Sequence, residues 1–276
     1  MSTWAQVPPP PKTRLDAWGW ARALARLAVL GGVVYGGLAV FLVLRGAEMA
    51  LASGRRALTP YLTQAVCKAA LVVIGLPVQR QGTPMRHIGA VVANHASWLD
   101  IFVLNACQRV QFVAKAEVAG WAGIGWLARA TGTLFIRRDP AEARAQQALL
   151  EERIRAGHHL LFFPEGTSTD GLRVLPFKST LFAAFHAHGL DKVMQIQPVS
   201  VIYHAPPGAD PRFYGWWADM GFADHMLKLL AAPRQGRVEV IFHAPLDVAD
   251  FPNRKALARA CEAAVRAPFP PIPEGY

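Results

Sequence analysis

Residues 88–100 read Ile-Gly-Ala-Val-Val-Ala-Asn-His-Ala-Ser-Trp-Leu-Asp. The first six, Ile88–Ala93, form an apolar run of strand length, which predicts a buried strand. The remainder, Asn94-His95-Ala96-Ser97-Trp98-Leu99-Asp100, is a polar cluster at the strand's end, where α/β sheets place their sites. His95 and Asp100 are five positions apart. In a loop entering a helix, that spacing can lay a carboxylate on one imidazole nitrogen. The carboxylate then fixes the tautomer and stabilises the imidazolium, leaving the other nitrogen free as a base. Such a pair can take a proton directly from a substrate hydroxyl, worth about 10²–10⁴ in rate. Taken alone, the segment also reads as an N-capping Asn beside a satisfied structural histidine.

The pattern extends outward from this strand. Further strands are predicted at Val110–Ala114, Thr133–Ile136, His159–Phe163, Met194–Tyr203 and Arg237–His243, with helical stretches between several of them. The clearest helix opens at Asp139-Pro140-Ala141-Glu142, with an N-cap, proline at the first helical position and an early acid. It runs to a terminating Gly157. This alternation predicts an α/β domain over residues 80–267, with a mixed, largely parallel sheet and flanking helices.

The N-terminal third differs. Residues 1–26 are a Pro-rich tail and amphipathic lead-in, and a second Pro-rich tail closes the chain at 268–276. Leu27–Leu44 carries no charge, and a helix of that length covers roughly 27 Å, barely a bilayer core. Ala65–Val78 is a shorter apolar stretch interrupted by Lys68. Residues 27–79 are therefore expected to form a membrane-inserted helix or a helical hairpin, with Lys68 snorkelling if the second stretch lies in the interface. Gly31, Gly32, Gly36 and Gly37 would let such a helix pack closely.

Composition agrees. The 276 residues are 53% hydrophobic and only 17% charged, whereas soluble domains carry about 25% charged residues. Lys plus Arg number 29 against 19 acids, a net charge of +10. The arginines stand singly or in pairs among aliphatic residues, without the basic runs of a nucleic-acid binder, so the expected partner is a bilayer and no nucleic acid. Three cysteines, Cys67, Cys107 and Cys261, provide neither a disulfide framework nor a C-x-x-C pair, and read as thiols in a reducing compartment. His158-His159 and His186-x-His188 lack a third ligand at metal spacing, so no metal is expected. Ser168 lacks the G-x-S-x-G elbow of a serine hydrolase. Phe213-Tyr214-Gly215-Trp216-Trp217, with Met220 and Phe222, reads as core packing, an interfacial belt or the wall of an acyl groove.

Two more clusters accompany His95. Phe162-Phe163-Pro164-Glu165-Gly166-Thr167-Ser168-Thr169-Asp170-Gly171 follows another apolar strand, and Gly132-Thr133-Leu134-Phe135-Ile136-Arg137-Arg138-Asp139 places arginines at a strand end. Arginine forks suit phosphate or carboxylate. With Gln197-Pro198-Val199-Ser200-Val201, these blocks make the chain, over roughly residues 88–225, resemble the 1-acylglycerol-3-phosphate acyltransferase family of membrane lysolipid acyltransferases, whose first block is an HX4D motif. The resemblance implies transfer of a fatty acyl group from acyl-carrier protein, or coenzyme A, to a lysolipid hydroxyl. It implies His95 as general base and Asp100 as its orienting acid. It also implies that Asn94, Lys115, Arg137, Glu165, Gly166, Thr167 and Ser168 lie along the substrate, with Arg137 on an acidic headgroup and N–H groups near Gly166 as oxyanion donors. No bound cofactor is implied, the thioester being a co-substrate. The implied location is the inner membrane, with the active domain facing the cytoplasm.

One position departs from the family pattern. Phosphatidate-forming members commonly carry Arg after F-P-E-G-T, whereas this chain has Ser168. Loss of a bidentate cation disfavours a phosphate dianion. The F-P-E-G-T-S-T-D-G form resembles the lyso-ornithine lipid acyltransferase branch, in which Arg137 could meet the acceptor's α-carboxylate. The resemblance thus implies lyso-ornithine lipid as acceptor, with 1-acylglycerol-3-phosphate as a further or alternative one. A basic, non-enzymatic lipid-binding protein is the rival from another class.

Overall fold

The computed structural model describes residues 4–11, 13–51, 56–87, 89–137, 143–186 and 194–272. The helix opening expected at Asp139–Glu142 lies outside them. Among the described residues the strands form one sheet: β1 (Val78–Gln81), β2 (Gly89–Ala93), β3 (Gln111–Lys115), β4 (Leu134–Ile136), β5 (Leu160–Phe162), β6 (Gln195–His204), β7 (Arg237–Phe242) and β8 (Leu246–Asp247). Their order is β1-β7-β6-β2-β5-β3-β4, with β8 beside β6. The block β6-β2-β5-β3-β4 is parallel, and β7 turns antiparallel to β6.

Helices cover both faces. Val91 and Ala93 of β2 point to one side with α1 (Ala17–Leu51), α2 (Thr59–Ile74), α3 (Asp100–Cys107) and α6 (Phe222–Ala231). Ala90 and Val92 point to the other, with α5 (Ala143–Arg155) and α7 (Arg254–Arg266). Burial on both faces is why β2 reads as a continuous apolar run rather than an alternating one. α4 (Ile124–Thr131) sits near the β3–β4 edge. Gly157, with φ of 80°, ends α5 as expected.

α1 begins at Ala17, ten residues before the uncharged stretch. Its extra turns are held by Arg22 and Arg26, whose guanidinium groups donate to the main-chain carbonyls of Leu230, Ala231 and Ala232 at 2.7–2.9 Å. These are the open carbonyls at the end of α6, which a cation stabilises. All four charged side chains of α1 (Arg22, Arg26, Arg45 and Glu48) are turned toward the protein. Its exposed positions, from Ala17 and Trp18 through Tyr35, Val40 and Val43 to Leu51, carry no charge. α1 is long and apolar enough to cross a bilayer by length and composition. Of the four glycines expected to permit close packing, Gly37 does so: a Cβ there would stand 2.5 Å from Val66 of α2. Gly31, Gly32 and Gly36 face open space.

Candidate active site

β2 and β5 are parallel neighbours, with Val92 opposite Phe162. Their C-terminal ends therefore release Asn94–Asp100 and Phe163–Gly171 side by side. His95 Nδ1 lies 2.7 Å from Asp100 Oδ2. Asp100 opens α3, where the helix terminus favours negative charge. The same Oδ2 accepts the backbone N–H groups of Ala96 (2.9 Å) and Ser97 (3.0 Å), and Oδ1 accepts the Tyr203 hydroxyl at 2.7 Å. A fully buried carboxylate is thus answered by four donors. Burial first, and then the charge of Asp100, push the Tyr203 hydroxyl well above its ordinary range, so it stays a donor.

The imidazole stacks on Phe163, with centroids 4.1 Å apart and planes 12° off parallel. Its side chain is 20% exposed, and Nε2 has no partner among the described residues. One nitrogen is held by Asp100 and the other is left open among the described residues, the arrangement a general base requires.

Glu165 organises the neighbouring loop. It is 1% exposed, and its two oxygens accept the N–H groups of His95 (2.6 Å) and Leu175 (2.7 Å). Burial pushes its carboxyl up to about 8, against those two hydrogen bonds, which pull it down. The Thr169 N–H donates to the His95 carbonyl (3.0 Å), the Trp216 N–H to the Ala96 carbonyl (2.8 Å), and the Ser168 hydroxyl to the Trp216 carbonyl. The F-P-E-G-T loop and the aromatic 213–217 segment are therefore both laced to the backbone around His95.

The structure engages three of the expected residues with the protein's own backbone. Asn94 is 1% exposed, its Nδ2 donating to the Val201 carbonyl (2.9 Å) and its Oδ1 accepting the Val201 N–H (2.8 Å). It clamps β2 to β6. Glu165 likewise acts on the backbone of the site, because both its oxygens are taken. The Gly166 N–H donates to the Phe163 carbonyl (3.0 Å), closing a turn in which Gly166 has φ of 72°. It is not an open oxyanion donor; the adjacent N–H groups of Thr167 and Ser168 have no partner among the described residues. Lys115 and Arg137 stand at the C-terminal ends of β3 and β4, the edge that carries His95, with Arg137 directly after β4 and exposed.

Sequence reasoning missed several members. Tyr203 is the penultimate residue of β6, two positions beyond Val201 and on the same face as Val199 and Val201. Strand alternation from Val199 was the signal that could have placed it. His225 accepts the Trp98 indole N–H at 3.0 Å, and burial holds it down at about 3, so it braces Trp98 as a neutral ring. The Pro-rich N-terminal tail packs against the site's loops. Trp4 is buried, its backbone N–H reaches the Thr167 hydroxyl (3.4 Å), Arg173 lies 5.3 Å over its ring, and the Trp217 indole donates to the Val7 carbonyl.

An imidazole–carboxylate pair at the carboxyl edge of a largely parallel sheet, with an adjacent loop threaded through its backbone, is an arrangement suited to group transfer. Residues 78–202 match the family model described as Acyltransferase. The chain belongs to that family and is an enzyme of the acyltransferase class. It is 62% identical to the lyso-ornithine lipid O-acyltransferase of Rhodobacter capsulatus over 264 residues, 96% of each chain. It is 31% identical to the 1-acyl-sn-glycerol-3-phosphate acyltransferase of Neisseria gonorrhoeae over 70% of this chain and 74% of that one. The crystal structure of the 1-acyl-sn-glycerophosphate acyltransferase PlsC from Thermotoga maritima shares the fold, with a TM-score of 0.58 at 22% identity, covering 89% of this chain and 95% of that one.

Proposed function

We propose that this enzyme moves a fatty acyl group from an acyl-carrier-protein thioester to the free hydroxyl of lyso-ornithine lipid. The observation that carries the reading is the 2.7 Å contact between His95 Nδ1 and Asp100, which leaves Nε2 without a partner among the described residues. Nε2 takes the hydroxyl proton as that oxygen attacks the thioester carbonyl carbon. The tetrahedral oxyanion collapses, the carbon–sulfur bond breaks, and the imidazolium returns its proton to the departing sulfur. The Thr167 and Ser168 N–H groups are the proposed oxyanion donors, worth about 3–4 kcal/mol each in such sites. Because the thioester is already activated, a base, orientation and oxyanion donors suffice, and no acyl-enzyme is needed.

The acceptor follows from Ser168, which brings no cation to the position after F-P-E-G-T and whose hydroxyl is committed to Trp216. Arg137 is then the proposed partner of the ornithine carboxylate. The likeness to the Neisseria enzyme favours 1-acylglycerol-3-phosphate as a second acceptor.

The membrane seating follows from α1. Its 35 residues extend about 52 Å, well beyond a bilayer core of about 30 Å, and one face is packed along α2, α4 and α6. A helix so committed on one side lies most simply along the surface, its uncharged outer face in one leaflet. The free thiols of Cys67, Cys107 and Cys261 suit the cytoplasmic side of the inner membrane. The test offers purified enzyme lyso-ornithine lipid and 1-acylglycerol-3-phosphate in parallel, with labelled acyl-carrier-protein or coenzyme A thioesters. Faster diacyl product from the ornithine acceptor and the carrier-protein donor is expected. Product from the phosphate acceptor alone would refute the weight placed on Ser168, and binding without product would favour a non-enzymatic lipid binder.

A further inference from the structure

At the amino edge of the sheet, opposite the edge that carries His95, a cavity of about 210 Å³ opens between the start of α2, the end of α4 and the first residues of β3 and β5. Its lining includes Arg56, Arg109, His158 and His159, and no acid. Arg56 precedes α2, is half-buried, and donates to the Ala130 carbonyl at 3.0 Å; this is its one hydrogen bond among the described residues. Arg109 lies 4.1 Å over the Tyr61 ring, which leaves its in-plane donors open. Neither arginine has an ion pair among the described residues. Like charges crowd the place: after burial itself, Arg45 and Arg153 press the Arg56 guanidinium down, and Arg153 and Arg56 do the same to His158. Glu48, the nearest acid acting on Arg56, is already engaged by the N–H groups of Leu58 and Thr59, the Thr59 hydroxyl and Arg45. Nδ1 of His159 is buried with no partner.

Buried polar atoms without partners and uncompensated guanidinium groups are costly unless an anion completes them. We propose that this cavity binds the phosphate of an anionic phospholipid headgroup, with Arg56 and Arg109 as its charged ligands and the His159 ring as its polar one. Guanidinium forks match phosphate oxygens bidentately. The site is separate from the catalytic centre: Gln111 begins β3 and His159 precedes β5, while His95 follows the far end of β2. From His159 to Phe163, which stacks on His95, the chain rises about 13 Å.

A lipid, rather than a free phosphate, is chosen from the surroundings. Phe41 of α1 and Pro60 of α2 line the same cavity. Leu58 and Tyr61, beside Pro60, are exposed. α1 and α2 thus wall one side of the cavity, and with the outer face of α1 laid in one leaflet the opening falls at the headgroup layer. This choice rests on the membrane seating proposed above; the anion site itself does not.

The full-length protein is floated with phosphatidylcholine vesicles and with vesicles that also contain phosphatidylglycerol. In neutral detergent it is titrated with dihexanoyl-phosphatidylglycerol and, separately, with inorganic phosphate. At about 1 kcal/mol per basic residue near the surface, the Arg56→Gln/Arg109→Gln pair should lose about thirtyfold of the preference for phosphatidylglycerol. His159→Phe, which removes the open ring nitrogen, should lose several-fold. Arg254→Gln/Lys255→Gln, which removes two exposed charges from α7, should lose little. Detergent-phase acyl transfer in all three variants should match the parent, which also certifies folding. Equal losses in the α7 control, with none in His159→Phe, mean diffuse charge and overturn the site. Inorganic phosphate binding as tightly as the lipid keeps the anion site but overturns the lipid as its occupant. Failure to float even with neutral vesicles defeats the membrane seating alone, because the detergent titration still reads the cavity.

Discussion

Replacing Glu165 with Gln sets two effects of known sign against each other. The wild-type carboxylate is buried and holds the His95 and Leu175 N–H groups on separate oxygens. An amide offers one acceptor, so one N–H would face an NH2 group and go unsatisfied, a loss of about 1–3 kcal/mol. Against this, burial raises the folded-state carboxyl from its ordinary 4.5 to about 8. With the folded value above the unfolded one, the native state holds a proton that the unfolded chain releases. The associated stability is complete below pH 4.5 and is lost as pH rises toward 8. Each pH unit in that window removes about 1.4 kcal/mol, so the whole window is worth at most roughly 5 kcal/mol. Glu165→Gln has no such slope. Denaturant unfolding of both proteins from pH 4.5 to 9, followed by tryptophan fluorescence, should show the variant less stable at pH 5 and level with or above wild type near pH 8. Parallel curves would show that the two N–H donors keep the carboxylate ionised throughout, and that desolvation loses to hydrogen bonding at this position.

Other expectations follow from the same geometry. Tyr203→Phe removes the hydroxyl from Asp100 Oδ1; kcat should fall about tenfold with KM unchanged, since Tyr203 is buried behind the pair, and a change confined to KM would place it on the substrate instead. His225 is held down at about 3, below its ordinary 6.5, so its contribution is present above pH 6.5 and is lost as pH falls toward 3. His225→Gln, which can still accept from Trp98, should move the acid-unfolding midpoint to lower pH; an unchanged midpoint would remove His225 from the acid response.

Much of the fold was legible because β2, β5 and β6 are apolar runs bounded by polar clusters, and their boundaries fell within a residue or so of expectation. β1 was hidden: Gln79, Arg80 and Gln81 are exposed on an edge strand and carry no hydrophobic signal. α1 was placed too late because Arg22 and Arg26 read as flanking charges, whereas they cap α6 from inside the helix. The His95–Asp100 pair was readable because both partners lie in one short loop. Tyr203 was not, since its contact joins residues 103 positions apart through the β2–β6 pairing. The backbone bonds of Asn94 and Glu165 were not legible, because sequence shows a polar residue beside a site and not which backbone N–H groups it holds. Trp4 lay hidden in a Pro-rich stretch, its packing set by the loop it meets.

The central claim is that the His95 ring, fixed by Asp100, removes the acceptor's proton. Its most direct test is single-turnover acyl transfer by purified His95→Ala at saturating thioester and lysolipid, alongside wild type. The account expects a rate at least about a hundredfold lower, with unchanged vesicle binding and an unchanged unfolding midpoint. Transfer at the wild-type rate would contradict it.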